Sequence, residues 1–148
     1  MDIVKFLDNI PACDIGAPTP TVLASEHKLI LSYYTDEESV CQITFDHCFE
    51  FTMGMPDENL VSEHPLGSKG LRAYGFHLIE ESSWIKEIED RYHIISEFSR
   101  DGRKYDHYIF IFHDRSFECI ASGYKFNIST KKTIKDSLST SINEIYKH

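Results

Sequence analysis

The sequence predicts an α+β fold: a mainly antiparallel sheet of about five to seven strands, with an N-terminal helix, a helix starting at Trp84 and a C-terminal helix packed on it. Three observations predict this. Ten Phe and eight Tyr among 148 residues supply the bulky, β-prone side chains of a sheet-rich core. Two segments, beginning near Ser82 and Thr130, carry apolar residues at helical intervals. The order of elements lacks the regular βαβ alternation of a doubly wound fold, which leaves an antiparallel sheet with helices on one face.

Residues 2–10 place Ile3, Val4, Leu7 and Ile10 at helical spacing, with Asp2 set to cap a helix and Pro11 to end it. Gly16 to Thr21 is a stiff loop, because Pro18 and Pro20 fix φ and remove amide donors. Leu29 to Tyr34 reads as a strand that pairs with the short Val22–Ala24 run across a turn at Ser25–Lys28. After the solvated Asp36–Ser39 turn come strands at Val40–Phe45 and Phe49–Met53. Gly54 to Gly70 is a long loop with at most a helical turn, and loops of that length are often functional. Ala73–Ile79 is a strand. Trp84, Ile85, Ile88, Tyr92 and Ile95 then form the apolar stripe of a helix capped by serine, and Ser99–Lys104 is a polar turn. The final helix starts at Thr130 and carries Ile134, Leu138, Ile142 and Ile145 on one side.

Length and composition point to one domain, residues 1–148, with no repeat or linker to divide it. Fifteen basic against 24 acidic residues give a net charge of −9, which repels phosphate backbones and argues against nucleic acid as a partner. The same charge favours fast encounter with a basic protein. The four cysteines (Cys13, Cys41, Cys48 and Cys119) show no CxxC pair and no zinc-like spacing. No apolar run approaches the ~20 residues that span a bilayer, and Asp2 and Asp8 interrupt the only signal-like stretch. The expectation is a reduced, cytoplasmic protein without a membrane partner, a cofactor or a metal.

Tyr105 to Phe126 holds the densest set of reactive side chains. Pairing Phe112 with Phe117 across a His113–Ser116 turn sets Phe110 opposite Cys119, Tyr108 opposite Ala121, Ile111 opposite Glu118 and Ile109 opposite Ile120. Alternation then gives one apolar face, which is core. The other face carries His107, Ile109, Ile111, His113, Glu118 and Ile120, and its isoleucines need a cover: a helix, a loop or a partner. That face, with Asp114, is the candidate binding surface. In this register His113 and Glu118 are diagonal neighbours, roughly 7–8 Å apart at the backbone. His107 and His113, six residues apart on one strand, are separated by about 20 Å and cannot share a metal. A metal site would need other ligands, such as His64 or His47.

Burial of Glu118 would raise its pKa toward the range of a general acid or base, whereas a pairing with Arg115 or Lys125 would make it structural. Asp114 suits a local turn role. Ser62-Glu63-His64 lies in the long loop and is a second site candidate, but adjacent residues cannot form a Ser–His–acid relay, and no GxSxG elbow exists. Gly67-Ser68-Lys69-Gly70 lacks the order of a phosphate loop. Trp84 is read as a core anchor.

Four phrases, Leu23–Tyr34 (LASEHKLILSYY), His64–Leu71 (HPLGSKGL), Ser82–Glu89 (SSWIKEIE) and His107–Tyr124 (HYIFIFHDRSFECIASGY), resemble a family of small, single-domain bacterial proteins of no established activity. The resemblance covers most of residues 16–126 and implies a bacterial cytoplasmic origin. The chain departs from that pattern at Arg115, where a small serine is usual, and at Ser82, where asparagine is expected.

Two functions compete. One is a non-enzymatic protein-interaction module, of which an acidic immunity-type protein against a basic toxin is a concrete version. The other is a small enzyme or a ligand- or metal-binding protein that uses His64, His113 and Glu118 together. Self-association through the isoleucine face is a third expectation.

Overall fold

A computed structural model describes residues 1–26, 28–92 and 104–146. The chain runs β1 (Ile3–Phe6), β2 (Thr21–Ala24), β3 (Lys28–Tyr34), β4 (Val40–Asp46), β5 (Glu50–Gly54), β6 (Phe76–Glu80), α1 (Ser83–Tyr92), β7 (Asp106–Ile111), β8 (Ser116–Ala121), β9 (Gly123–Ile128) and α2 (Ile134–Ile145). Two short 3-10 turns, Val61–Glu63 and Gly67–Lys69, punctuate the long loop between β5 and β6. The expected helical position Ile95 and most of the Ser99–Lys104 turn lie outside the described residues, as does His27 in the β2–β3 turn.

Among the described residues, nine strands form two antiparallel sheets, not one sheet of five to seven strands. The first has the order β1-β6-β7-β8-β5 and the second β2-β3-β4-β9. Alternation drives the arrangement. Leu29, Leu31, Tyr33, Ile43 and Phe45 point from the second sheet toward Phe76, Tyr108, Phe110, Phe117 and Cys119 of the first, and together they form the main core. Phe45 anchors it, with ring centroids 5.5–5.8 Å from Tyr108, Phe110 and Phe117. Aromatic contacts at these separations add to plain area burial.

Each sheet also needs a cover on its outer face. α2 covers the second sheet: Ser141 accepts from the buried Gln42 side chain at 2.9 Å, and the Thr133 hydroxyl caps the helix by accepting from Asp136 N–H. α1 and the loop around residues 61–71 cover the first sheet. Ile88 packs on Ile120 with Trp84 and Ile85 beside it, while Leu66 and Leu71 pack on Ile79, Ile109 and Ile111. The helices therefore lie on opposite sides of a sandwich.

The expected N-terminal helix is a strand. Ile3 to Phe6 pairs antiparallel with β6, Val4 opposite Ile79. Four residues are too few to separate a period of 3.6 from a period of 2. The spacing that imitated a helix comes from Leu7 and Ile10, which follow the strand and turn into the main core. The hairpin register also differs from expectation by two residues. Phe110 faces Phe117, Tyr108 faces Cys119, Ile109 faces Glu118 and His107 faces Ile120. Phe112 N–H donates to Arg115 O, so the turn is the two residues His113 and Asp114, with Asp114 at φ 67°. Aspartate tolerates that left-handed conformation better than most residues. A shift of two preserves both faces but changes every neighbour.

Candidate functional site

The outer face of the first sheet brings together four polar side chains that are far apart in the sequence. His107 projects from β7 and Glu118 from β8, and the observed register makes them diagonal neighbours. Ser82 is the residue before α1, where its hydroxyl accepts from Ile85 N–H at 3.2 Å as a helix cap. His64 arrives from the long loop. The loop is held in place by close packing at Gly67, where a Cβ would stand 2.5 Å from the Val61 carbonyl oxygen.

Glu118 sits at the centre. Its Oε2 lies 2.8 Å from His64 Nε2 and its Oε1 lies 2.9 Å from His107 Nε2. His107 Nδ1 lies 2.8 Å from Ser82 Oγ. The protons can be assigned. Leu66 N–H donates to His64 Nδ1 at 2.9 Å, so that nitrogen is an acceptor and Nε2 carries the proton given to Glu118. His107 likewise donates from Nε2, which leaves Nδ1 to accept from the Ser82 hydroxyl. Every donor then meets an acceptor around one carboxylate charge.

That charge is held firmly. Burial pushes the Glu118 carboxyl upward, but the lowering effects, chiefly the hydrogen bonds from His107 and His64, outweigh it and bring it to about 2. This reverses the expected direction, in which burial alone would have made Glu118 a general acid or base. The expected alternative partners, Arg115 and Lys125, are replaced by the two histidines.

The sequence of contacts Ser82–His107–Glu118 has the residue types of a hydrolytic relay, and Ser82 lies on a strand-to-helix turn. Its surroundings oppose that chemistry. The serine oxygen caps α1, His107 and Ser82 are buried, and the following amide, Ser83 N–H, donates to the Asp2 carboxylate at 2.7 Å. An oxyanion arriving beside Ser82 would find that amide occupied by another anion. The network is a saturated structural clasp.

His113 is not part of it. The register places it in the turn, where its Nδ1 lies 3.2 Å from Glu58 Oε1 and its Nε2 lies 3.5 Å from Asp114 Oδ2. The Glu58 contact is close enough for electrostatic attraction but is not aligned as a hydrogen bond. Glu58 also accepts from Asp114 N–H. Glu58, His113 and Asp114 offer ligand atoms within 4.8 Å of one another, close enough together to hold a cation. The expected union of His64, His113 and Glu118 therefore splits into two places. His47 stays apart from both, exposed, with Nδ1 3.2 Å from Ser122 Oγ.

Of the covers expected for the isoleucine face, the chain supplies a loop and a helix itself. Ile109, Ile111 and Ile120 are fully buried under the chain's own loop and helix. Sequence reasoning missed Ser82 and His77 as members of polar contacts on this face. His77 is buried, its Nδ1 is 3.0 Å from Ile109 O and its Nε2 accepts from Arg72 N–H. Burial lowers its pKa, which keeps the ring neutral and structural. The serine before α1 was legible as a cap, but nothing in the linear pattern linked it to His107.

No helix among the described residues is long and apolar enough to cross a membrane. Compared with protein-family models, curated proteins and solved structures, the chain matches none of them.

Proposed function

We propose that this chain is a non-enzymatic protein-interaction module that captures a basic partner, in the manner of an immunity-type protein that neutralises a basic toxin in a bacterial cytoplasm. One observation carries the reading. The side chains with the best claim to chemistry, Ser82, His107, Glu118 and His64, are consumed by each other in a largely buried clasp. The net charge of −9 supports the choice of partner, since it accelerates encounter with a basic surface. Self-association through Ile109, Ile111 and Ile120 loses its motive, because the chain covers these residues itself.

The test combines capture of partners from a native bacterial lysate with titration of the recovered protein. The reading expects a partner of basic isoelectric point that binds with one-to-one stoichiometry and is released by salt. Recovery of only acidic partners, or hydrolytic turnover that disappears in Ser82→Ala, would overturn it.

A second reading, a cation-binding protein, is favoured by the Glu58–His113–Asp114 cluster alone. Elemental analysis of the purified protein decides it: stoichiometric metal that is lost in His113→Ala supports this reading, and its absence removes it.

A further inference from the structure

The basic partner has a place to go on this chain. A groove of about 670 Å³ opens between the end of β6, the first two turns of α1 and the start of β7. Its walls include Leu78, Ile85 and Tyr105, an apolar lining suited to the methylene stem of a long basic side chain. Its rim carries Glu80, Glu81, Glu89, Asp90 and Asp106 against Lys86 and Lys104.

These carboxylates are not equivalent. Glu80 meets Lys5 at 3.6 Å and Glu81 meets the N-terminal ammonium at 3.9 Å, both in exposed pairs that hold little energy. Glu89 and Asp90 form no ion pair among the described residues. Asp106 is partly buried where β7 begins. Burial raises its carboxyl above the usual range, Lys104 and a Tyr108 hydrogen bond pull it back, and the Glu80 charge pushes it up again. The groove thus concentrates negative charge beside apolar walls and keeps a carboxylate there at some cost to the fold.

We infer that this groove is the docking site for an arginine- or lysine-bearing segment of the basic partner, whose aliphatic stem lies along Ile85 and Tyr105 and whose cation meets Glu89, with Asp106 adding negative charge at the strand end of the groove. The inference rests on the binding-module reading and adds the surface to it.

The full chain, labelled for amide-resolved NMR, is titrated with a capped peptide of four arginines separated by glycines and with its uncharged citrulline counterpart. The expected result is saturable shifts at Ile85, Glu89, Tyr105 and Asp106 with the arginine peptide only. Affinity should fall about tenfold when salt rises from low to several hundred millimolar. Two variants with the same charge change separate site from bulk charge. Glu89→Lys with Asp106→Asn should weaken binding tenfold or more, and Glu37→Lys with Asp36→Asn should leave it within about twofold. Thermal melts of both establish that each is folded. Should the first variant melt prematurely, Glu89→Gln set against Glu37→Gln gives the same comparison at equal charge change. Binding that maps to the Asp36–Glu38 turn, or that both variants weaken equally, overturns the groove while leaving a basic partner in place. Binding of neither peptide anywhere on the chain overturns both.

Discussion

Replacing Glu118 by glutamine keeps the shape of the central side chain and removes its charge and one acceptor. The clasp presents two imidazole N–H donors to two carboxylate oxygens. Glutamine offers one oxygen and one NH2, so one ring must face a donor. His64 cannot adapt, because its Nδ1 is engaged by Leu66 N–H. His107 can reverse its tautomer, but the Ser82 hydroxyl then loses the ring nitrogen it donates to. The cost follows from titration. The carboxyl sits at about 2 against an ordinary 4.5, and at roughly 1.4 kcal/mol per unit the difference is about 3 kcal/mol. The Glu118 side chain is only 17 % exposed, so solvent screening takes little of this away. The sign is that of a depressed carboxyl. The stabilisation is fully present above pH about 4.5 and is lost as pH falls toward 2.

Urea denaturation followed by the fluorescence of Trp84, the single tryptophan, reads the effect directly. Its ring meets His107 edge-on at 5.0 Å, so its emission reports the clasp as well as the fold. Wild type should exceed Glu118→Gln by about 3 kcal/mol at pH 6 to 7, and the gap should shrink to about 1 kcal/mol near pH 2.5. Subtraction cancels the parallel contribution of Asp2, whose carboxyl is also lowered. A neutral-pH difference below about 1 kcal/mol, or a gap that stays constant with acid, would refute the proton assignment.

Four further outcomes are expected. Ser82→Ala removes a helix cap and the hydroxyl that meets His107 Nδ1, and should destabilise the fold by about 1–2 kcal/mol in the same urea assay. Gly67→Ala forces backbone apart at Val61 and Ser62, so it should lower the melting temperature by several degrees, on the order of 1–3 kcal/mol, and broaden the His64 resonances. Asp106→Asn should leave stability unchanged or raise it at pH 7, since burial disfavours the native carboxylate; a clear loss would mean that Asp106 is structurally required. Of the four thiols, Cys48 should react first with a disulfide reagent. It is partly exposed and its pKa is lowered, chiefly by contact with Cys119, while Cys13 is buried and pushed up to about 11.

Parity made much of this fold legible in the sequence. The apolar face of β7 and β8 followed from strict alternation, and it survived a register error of two because the side-chain period is also two. The helix at Trp84 showed itself through a serine cap and a stripe that Ile88 completes. The candidate site was not legible in the same way. The pairing of His107 with Glu118, in place of His113 with Glu118, depends on a turn closing in two residues, which the polar run His113-Asp114-Arg115-Ser116 does not specify. His64 reaches Glu118 across 54 positions, and linear pattern carries no information at that range. The division of strands into two sheets was hidden for a related reason. Both sheets contribute aromatic residues to one core, so composition alone cannot count layers.

The loop that carries His64 has little regular structure, yet it should not behave as a loop. Leu66 N–H is bonded to an imidazole that is itself bonded to Glu118, so releasing this segment takes one of two ring partners from a half-buried carboxylate. Its opening free energy is thereby tied to that of strands β7 and β8. In hydrogen–deuterium exchange, the Leu66 amide should keep its proton about as long as the central strands, long after the Asp36–Glu38 turn has lost its own. An irregular segment is then part of the slowest-opening unit of the protein, and an insertion between His64 and Gly67 would be felt as a core mutation.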